Sequence, residues 1–238
     1  MFLTAAVSFF TLVASAQMPG GGVNSAFLKL FGDSQTFSAT ATIQVFSNRV
    51  EWLRMPMNFT ALDSKLRLDV DMGQMKGPAI SASTIAMNKK IGIDRVSSLV
   101  RLDRRTSYML YPALQGYVTM PSTDQDAGLQ SEKLVRTALG RETIDGHACV
   151  KNRSVVKNQK GITVLQATTW NAKDLQDFPL QIETVENGKS SIMRFAQVSF
   201  ARPDANLFEL PKGYKEFPSS DDLIAAAMTR AAAKNQKK

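Results

Sequence analysis

The chain has 238 residues, 44% of them hydrophobic and 21% charged, which excludes a disordered protein and suffices for one large domain or two small ones. Lys and Arg number 29 against 21 Asp and Glu, so the net charge is +8, and part of the excess lies in the basic tail, residues 234–238. The only cysteine is Cys149, which excludes an internal disulfide.

The N-terminal segment predicts export. Residues 1–13 are apolar and uncharged, and Ala14-Ser15-Ala16 follows, which is typical of a secretory signal peptide (residues 1–16) cleaved between Ala16 and Gln17. The run departs from the usual pattern because no Lys or Arg precedes it, and a buried N-terminal helix is the alternative. It is shorter than the about 20 residues of a membrane-spanning helix. Because position 17 is not Cys, we predict a periplasmic protein without a stable membrane anchor.

After the signal peptide, residues 17–33 form a predicted leader and a short helix that ends at Gly32. Apolar and polar side chains then alternate, and this period of two predicts strands with one buried face. The alternation runs through residues 37–45, 55–59 and 66–72, with turn residues at Asn48-Arg49 and Asp63-Ser64. These three strands are predicted to form a meander.

The alternation stops between residues 73 and 92. Pro78 suits the first turn of a helix and Gly92 suits its end, so we predict an amphipathic helix over residues 79–91. Its apolar stripe would consist of Ile80, Thr84, Met87 and Ile91. The expected strands that follow are residues 99–102, 106–112 and 117–120, before a polar loop from Pro121 to Gln130.

From Glu132 onward the strands resume, and the sequence predicts an antiparallel run that ends at residues 207–214. Asp145-Gly146 and Asn187-Gly188 are preferred hairpin dipeptides. The predicted strands are residues 139–144, 148–156, 162–170, 180–185 and 192–200. With no repeat and no low-complexity linker, residues 34–217 are predicted to form a single sheet domain. A basic helix and tail, residues 218–238, would follow, and the narrow apolar face of this helix either docks on the sheet or lies free.

Side chains suited to catalysis are scarce. His147 is the only histidine and flanks the Asp145-Gly146 turn, while Cys149 lies in a predicted strand, where a buried free cysteine behaves as a small hydrophobe. No zinc-ligand spacing, P-loop, dinucleotide fingerprint or nucleophile elbow occurs. We therefore predict that the protein is not an enzyme and has no metal or cofactor.

Methionine is concentrated in one part of the chain. The residues concerned are Met55, Met57, Met72, Met75, Met87, Met109 and Met120. Thioethers bind Cu(I), but methionine also fills irregular apolar surfaces that adapt to their contents. The second interpretation is favoured because Met55 and Met57 share the apolar face of one predicted strand.

Four segments together resemble an exported bacterial family known as a domain of unknown function. They are Ser-Tyr-Met-Leu-Tyr-Pro at 107–112, Gly-Arg-Glu-Thr-Ile-Asp-Gly-His at 140–147, Phe-Pro-Leu at 178–180 and Leu-Phe-Glu-Leu-Pro-Lys-Gly-Tyr at 207–214. That family is similar to the LolA/LolB lipoprotein carriers and the RseB envelope-stress regulator. The resemblance covers residues 34–217. It implies a mainly β (α+β) fold, a half-open antiparallel β-barrel with short covering helices, whose concave apolar face holds acyl chains. It carries over no catalytic residue.

A sheet with one apolar face must cover it with helices or with a ligand. We therefore predict a periplasmic binder of a lipid, an acyl chain or a lipidated partner, and a basic exported protein is not expected to bind nucleic acid. The alternative is an envelope sensor or interaction protein whose cavity is filled by its own helices. The candidate lining residues, each of which can also be plain core, are Trp52, Met55, Met57, Phe59, Leu66, Leu68, Tyr111 and Trp170.

Overall fold

The computed structural model describes residues 25–32, 34–121, 132–186 and 188–235. The predicted signal peptide, the leader before residue 25 and most of the loop that begins at Pro121 lie outside the described residues. The strands are β1 (Thr36–Ser47), β2 (Val50–Leu62), β3 (Lys65–Asp71), β4 (Arg95–Arg101), β5 (Thr106–Tyr111), β6 (Gly116–Pro121), β7 (Lys133–Ile144), β8 (His147–Lys157), β9 (Thr163–Ala172), β10 (Phe178–Glu186), β11 (Lys189–Ser199) and β12 (Lys215–Phe217). The α-helices are α1 (Ser25–Lys29), α2 (Ala82–Ile91) and α3 (Ser220–Asn235).

All twelve strands belong to one open sheet, in the order β12-β6-β5-β4-β3-β2-β1-β11-β10-β9-β8-β7. Two meanders, β1 to β6 and β7 to β11, are joined side by side where β1 pairs with β11. The mainly β fold class is thus confirmed.

One pairing differs from the predicted antiparallel run, because β12 lies parallel to β6. Parallel neighbours need a long connection rather than a hairpin, and the chain reaches β12 through residues 200–214.

Chain connectivity requires this sheet to be curved. Strands β6 and β7 lie ten positions apart in the strand order, which corresponds to about 48 Å in a flat sheet. The chain from Pro121 to Lys133 contains 12 residue steps and can reach at most about 43 Å when fully extended. A flat sheet could not be bridged by this connection, so the two ends of the sheet must curl towards each other.

One face of the sheet carries the main core, and we call it the inner face. The predicted period of two is present in β1, where Phe37, Ile43 and Val45 are buried while the intervening residues are half-buried. All three α-helices pack against this core. The C-terminal helix α3 docks rather than lying free, because its Leu223, Ile224 and Ala227 are buried against the sheet.

The helix α2 begins three residues later than predicted. It starts after Ser81, whose hydroxyl accepts a hydrogen bond from the Thr84 N–H at 3.1 Å and caps the helix. Pro78 therefore lies before the helix, while Gly92 ends it with φ of +78°, as predicted. The buried residues of α2 are Asn88 and Ile91, so the predicted stripe is wrong at Met87, which is exposed.

The opposite, outer face carries a second, smaller core. The chain between β11 and β12, residues 200–214, crosses this face, and we call it the outer strap. The strap contains a 3₁₀ turn (Ala205–Phe208), and its Phe208 is fully buried against Leu62, Leu99 and Leu110. Strand β4 also begins earlier than predicted, at Arg95, and Leu102–Arg104 is a 3₁₀ turn.

Arginines from the sheet hold the outer strap in place. Arg67 donates to the Leu207 carbonyl at 2.9 Å, and Arg101 donates to the Phe208 carbonyl and to Glu209 Oε1, both at 2.9 Å. The Arg101 guanidinium is also paired with Asp103 at 2.7 Å, so it is buried with its donors satisfied. The strands β3 to β5 are consequently covered on both faces.

Candidate functional site

Five of the predicted lining residues share the inner face of two neighbouring strands. Met55, Met57 and Phe59 alternate along β2, and Leu66 and Leu68 alternate along β3. The register places Phe59 directly opposite Leu68. Four of these side chains are buried, and Leu68 is half-buried.

Two further predicted residues lie at the margins of this face. Trp52 is half-buried near the start of β2, and the ammonium nitrogen of Lys189 lies 5.7 Å from its ring centroid. Tyr111 is buried at the end of β5, where it is hydrogen-bonded to the side chain of Ser220 at the start of α3. Burial raises the pKa of the Tyr111 hydroxyl.

By its strand register Trp170 lies on the outer face of β9, although its side chain belongs to the same continuous apolar cluster as the other seven candidates. It is opposite Lys151 and Gln181 in the neighbouring strands. Its indole N–H donates to Glu142 Oε2 at 2.7 Å, and the ammonium of Lys151 stands 4.9 Å from the ring centroid. The side chain is 3% exposed, so burial alone does not identify the face to which an apolar residue belongs.

The inner face of β8 and β9 instead carries a buried polar cluster that sequence reasoning missed. The cluster consists of Asn152, Ser154, Thr169 and Asn171, each 7% exposed or less. The Thr169 hydroxyl lies 2.8 Å from the Ser154 hydroxyl and donates to Asn171 Oδ1 at 2.7 Å. Asn152 donates to the same oxygen at 3.0 Å, and Asn171 donates to the Asp177 carbonyl. Such an internally bonded network stabilises one packing arrangement without a ligand.

Helix α1 fills the centre of the inner face. Its own Phe27 and the two residues just after it, Leu30 and Phe31, are 0–3% exposed. The Phe31 ring centroid lies 4.9–5.6 Å from those of four sheet residues, in stacked, edge-on and tilted geometries. These four residues are Phe37, Phe59, Phe178 and Phe195.

Arg136 on β7 fastens the end of this helical segment to the sheet. Its guanidinium donates to the Leu30 carbonyl at 2.8 Å and to Asp177 Oδ2 at 2.6 Å. A donor at this position satisfies a carbonyl that the helix itself leaves free. The segment is therefore held by aromatic packing on one side and by a charged hydrogen bond on the other.

One row of the inner face is less covered than its neighbours. In the strand register, Leu68, Ser98 and Met109 lie side by side on β3, β4 and β5, and all three are half-buried. We call these three residues the inner row. The rows on either side, Val70 with Val96 and Leu66 with Val100, are 9% exposed or less. Sequence reasoning identified Leu68 and missed Ser98 and Met109, although Met109 belongs to the methionine-rich stretch.

A separate cavity of about 520 Å³ lies at the end of the β7–β8 hairpin. It is lined by Arg141, Glu142, Thr143, Ala148, Cys149, Val150 and Lys173.

Burial raises the pKa of the Cys149 thiol, which disfavours a nucleophilic thiolate. The His147 ring is paired with Asp174 at 2.7 Å, and this hydrogen bond lowers the pKa of the Asp174 carboxyl. The Cys149 thiol donates to the His147 carbonyl at 3.5 Å and not to the imidazole, so the two side chains are not hydrogen-bonded as a nucleophile–base pair.

The described residues contain no group of three or more His, Cys, Asp or Glu side chains placed to hold a metal ion. Within the same part of the chain, no helix has the length and apolar character needed to span a bilayer.

Comparison with known proteins yields structural similarities only. No protein-family model matches the sequence, and no curated protein matches it. The fold is similar to a LolA superfamily protein from Nitrosomonas europaea, with 10% identity, a TM-score of 0.39 and coverage of 76% of this chain and 93% of that one. It is also similar to the lipoprotein LppX of Mycobacterium tuberculosis, at 11% identity, a TM-score of 0.38 and coverage of 73% and 93%.

A third similarity is to LprF of Mycobacterium bovis, with 14% identity, a TM-score of 0.38 and coverage of 80% of this chain and 97% of that one. The resemblance read from the four sequence segments is therefore matched by distant structural similarity to the LolA superfamily and not by a family match in sequence. At these scores, the function has to be inferred from the residues of this chain.

Proposed function

We propose that this chain is a non-enzymatic binding protein that holds an acyl chain, from a lipid or a lipidated partner, along the inner row of its sheet. The observation that carries this proposal is the half-buried state of Leu68 and Met109 beside rows whose β3 and β4 residues are buried. Apolar side chains left partly exposed beside buried apolar neighbours favour an apolar occupant. Burying such a chain contributes about 0.8 kcal/mol per methylene.

The neighbours of the inner row suit a ligand of variable shape. On the adjoining strand β2, Phe59 lies directly opposite Leu68, and Met57 is the diagonal neighbour opposite Val70. Methionine has three rotatable bonds and repacks around irregular apolar groups. Ser98, at the centre of the row, adds one hydroxyl that can meet a polar group of the ligand.

A direct test uses the protein purified from a bacterial periplasm. Native mass spectrometry with lipid extraction is expected to find bound lipid, and a fluorescent fatty acid is expected to bind the delipidated protein. Leu68→Glu and Met109→Glu place a charge in the row and are expected to weaken fatty-acid binding by at least about tenfold. The matched control is Val185→Glu, because Val185 lies on the outer face of β10 and is 71% exposed.

Circular dichroism of both row variants separates lost binding from lost folding. A ligand-free mass together with no uptake of the fluorescent fatty acid would contradict the proposal. Equal weakening by the Val185→Glu control would also contradict it, because that side chain is remote from the inner row.

The filled centre of the inner face favours a second candidate function. Phe27 and Phe31 occupy the space that an acyl chain would take in a hollow sheet. On this reading the protein is an envelope sensor or interaction protein whose cavity is filled by its own helix, and its partner is another protein. The ligand-free result described above would favour this candidate.

Export to the periplasm remains a prediction that accompanies both candidates. It rests on the apolar run of residues 1–13 and the small residues before Gln17. N-terminal sequencing of the protein recovered from periplasmic extract is expected to start at Gln17. Recovery of the protein in the cytoplasm with Met1 intact would contradict the predicted signal peptide.

A further inference from the structure

The two edges of the sheet are built differently. Strand β12 is three residues long, and helix α3 packs beside it. Strand β7 is 12 residues long and ends the sheet on the other side. Short, covered edges prevent pairing with other chains, whereas a long open edge presents unpaired N–H and C=O groups. The β12 edge is therefore protected from pairing with another chain, whereas the β7 edge is not.

The second half of β7 is uncovered on both faces. A strand packed on a core alternates between buried and exposed residues, but residues 137–143 are all exposed. Leu139, at the bulge between Ala138 and Gly140, is 56% exposed. Among the described residues, β8 is the only strand that pairs with this segment, and Glu142 is also bonded to Trp170 and Lys151, so the other backbone edge of β7 is left available to a partner.

The surroundings of this edge are basic. Residues 132–160, which form the β7–β8 hairpin and the turn after it, contain seven Lys and Arg against three Asp and Glu, and two further carboxylates, Asp174 and Asp177, are paired with the hairpin. The cavity at the end of the hairpin has Arg141 and Lys173 in its lining. Both side chains belong to exposed residues, and neither forms an ion pair within the described part of the chain.

We infer that the exposed end of β7 binds an extended acidic segment of a partner protein, which adds to the sheet as a further strand. The segment pairs with residues 140–144, because the bulge at Ala138/Gly140 interrupts regular pairing before them. Main-chain hydrogen bonds supply affinity in this mode, and alternate side chains supply specificity. A carboxylate of the segment is then placed beside Arg141 and Lys173, at the mouth of the cavity.

Charge argues for a partner other than a second copy of this chain. Pairing two β7 edges would bring together two hairpins that each carry an excess of positive charge, and like charges disfavour association. An acidic segment reverses that balance. This inference is independent of the proposed acyl-chain site, because the inner row lies at the other end of the strand order, on β3 to β5.

The probe for this inference is a fluorescein-labelled peptide of alternating Val and Glu, compared with one of alternating Val and Lys. Fluorescence anisotropy with the full-length protein is expected to show binding of the acidic peptide only. The double variant Arg141→Glu, Lys173→Glu is expected to weaken this binding by at least about tenfold. The matched control is Lys157→Glu, Lys160→Glu, which makes the same change in net charge on exposed residues away from the cavity.

Hydrogen exchange gives the second readout, because an added strand protects amides that face it. The acidic peptide is expected to slow exchange within residues 140–144. The inference is overturned if no peptide binds, if both charge-reversal variants weaken binding equally, or if the protected amides lie elsewhere. A dimer seen by native mass spectrometry with β7 protected in the absence of peptide would also overturn it, since the occupant would then be a second copy.

Discussion

The two ends of the sheet differ in how completely the rest of the chain covers them. Strands β3 to β5 have helices on the inner face and the outer strap on the outer face. The last part of β7 has no cover on either face among the described residues. A fold needs each apolar face covered once, so the doubly covered end accounts for stability. Stability does not explain why residues 137–143 of β7 are exposed, but the proposed partner segment does, because it would pair with this edge.

The doubly covered end depends on a few charged anchors as well as on apolar packing. Arg101 joins β4 to the strap through Phe208 and Glu209, and Arg67 joins β3 to Leu207. Arg101 is 3% exposed and its bond to the Phe208 carbonyl is buried, whereas its carboxylate partners Asp103 and Glu209 are partly exposed. At residues 137–143 every side chain is exposed, and the anchor there is Glu142, which accepts from the Trp170 indole and is paired with Lys151.

The largest expected effect comes from removing the side chain at the centre of the inner face. Phe31→Ala should destabilise the protein by about 4 kcal/mol, because a buried aromatic ring is lost and its four aromatic neighbours in the sheet close the cavity only in part. The matched change at the bare end is Leu139→Ala, whose side chain is 56% exposed, and we expect at most about 0.5 kcal/mol. Denaturant unfolding of both variants measures the contrast.

A loss below about 1 kcal/mol for Phe31→Ala would contradict the central role of α1, because fully buried rings cost more than this to remove. A large loss for Leu139→Ala would show that the end of β7 is covered in solution.

The next effect tests the charged anchor of the strap. Arg101→Ala is expected to cost about 2 kcal/mol, because it leaves the buried Phe208 carbonyl without a donor. Arg104→Ala removes another arginine bonded to Glu209, but its side chain is 54% exposed, so we expect less than about 1 kcal/mol. Thermal or denaturant unfolding compares the two. Equal losses would mean that burial does not set the strength of these ion pairs.

The smallest effect concerns Tyr111, where α3 meets β5. Burial raises the pKa of its hydroxyl in the folded state above the ordinary value of 10.0. The resulting stability is present below pH 10 and is lost as the pH rises through the raised folded-state pKa, because the unfolded chain ionises first. Tyr111→Phe should therefore flatten the alkaline loss of stability. At neutral pH it should cost about 1 kcal/mol for the hydrogen bond to Ser220.

Unfolding measured between pH 7 and 11 tests this expectation, with Tyr214→Phe in the outer strap as the control. That control should keep the alkaline slope of the unmodified protein. An unchanged slope in Tyr111→Phe would assign the alkaline transition to another group.

Much of the strand pattern could be predicted from local sequence. Strands β1, β2 and β3 follow the alternation of residues 37–72, and the predicted turn at Asn48-Arg49 has both residues at positive φ, 51° and 65°. The errors occur where a single contact shifts a boundary. Helix α2 begins at residue 82 because the Ser81 hydroxyl caps it there, and the predicted antiparallel run did not include the parallel strand β12.

The candidate site was predicted less completely. Residues of β2 and β3 could be assigned to one face because their apolar residues alternate without interruption. In β9 the inner face is made of Ala167, Thr169 and Asn171, so the apolar Trp170 points the other way. The alternation of small and polar residues in this strand was a usable signal. It was missed because hydrophobicity was taken to mark the inner face.

The sequence by itself determined the mainly β class, the position of nearly every strand and turn, and the scarcity of catalytic side chains. The class and the positions of strands and turns depend on backbone dihedral preferences and on an alternation of apolar and polar residues, both of which act over a few residues. The scarcity of catalytic side chains follows from composition. Only the tertiary structure decided that β1 pairs with β11, with Ser38 opposite Ser199, and that residues 200–214 cover the outer face. Alternation shows which residues of one strand share a face. It carries no information about which distant strand lies beside it, because that choice depends on burying all apolar faces at once.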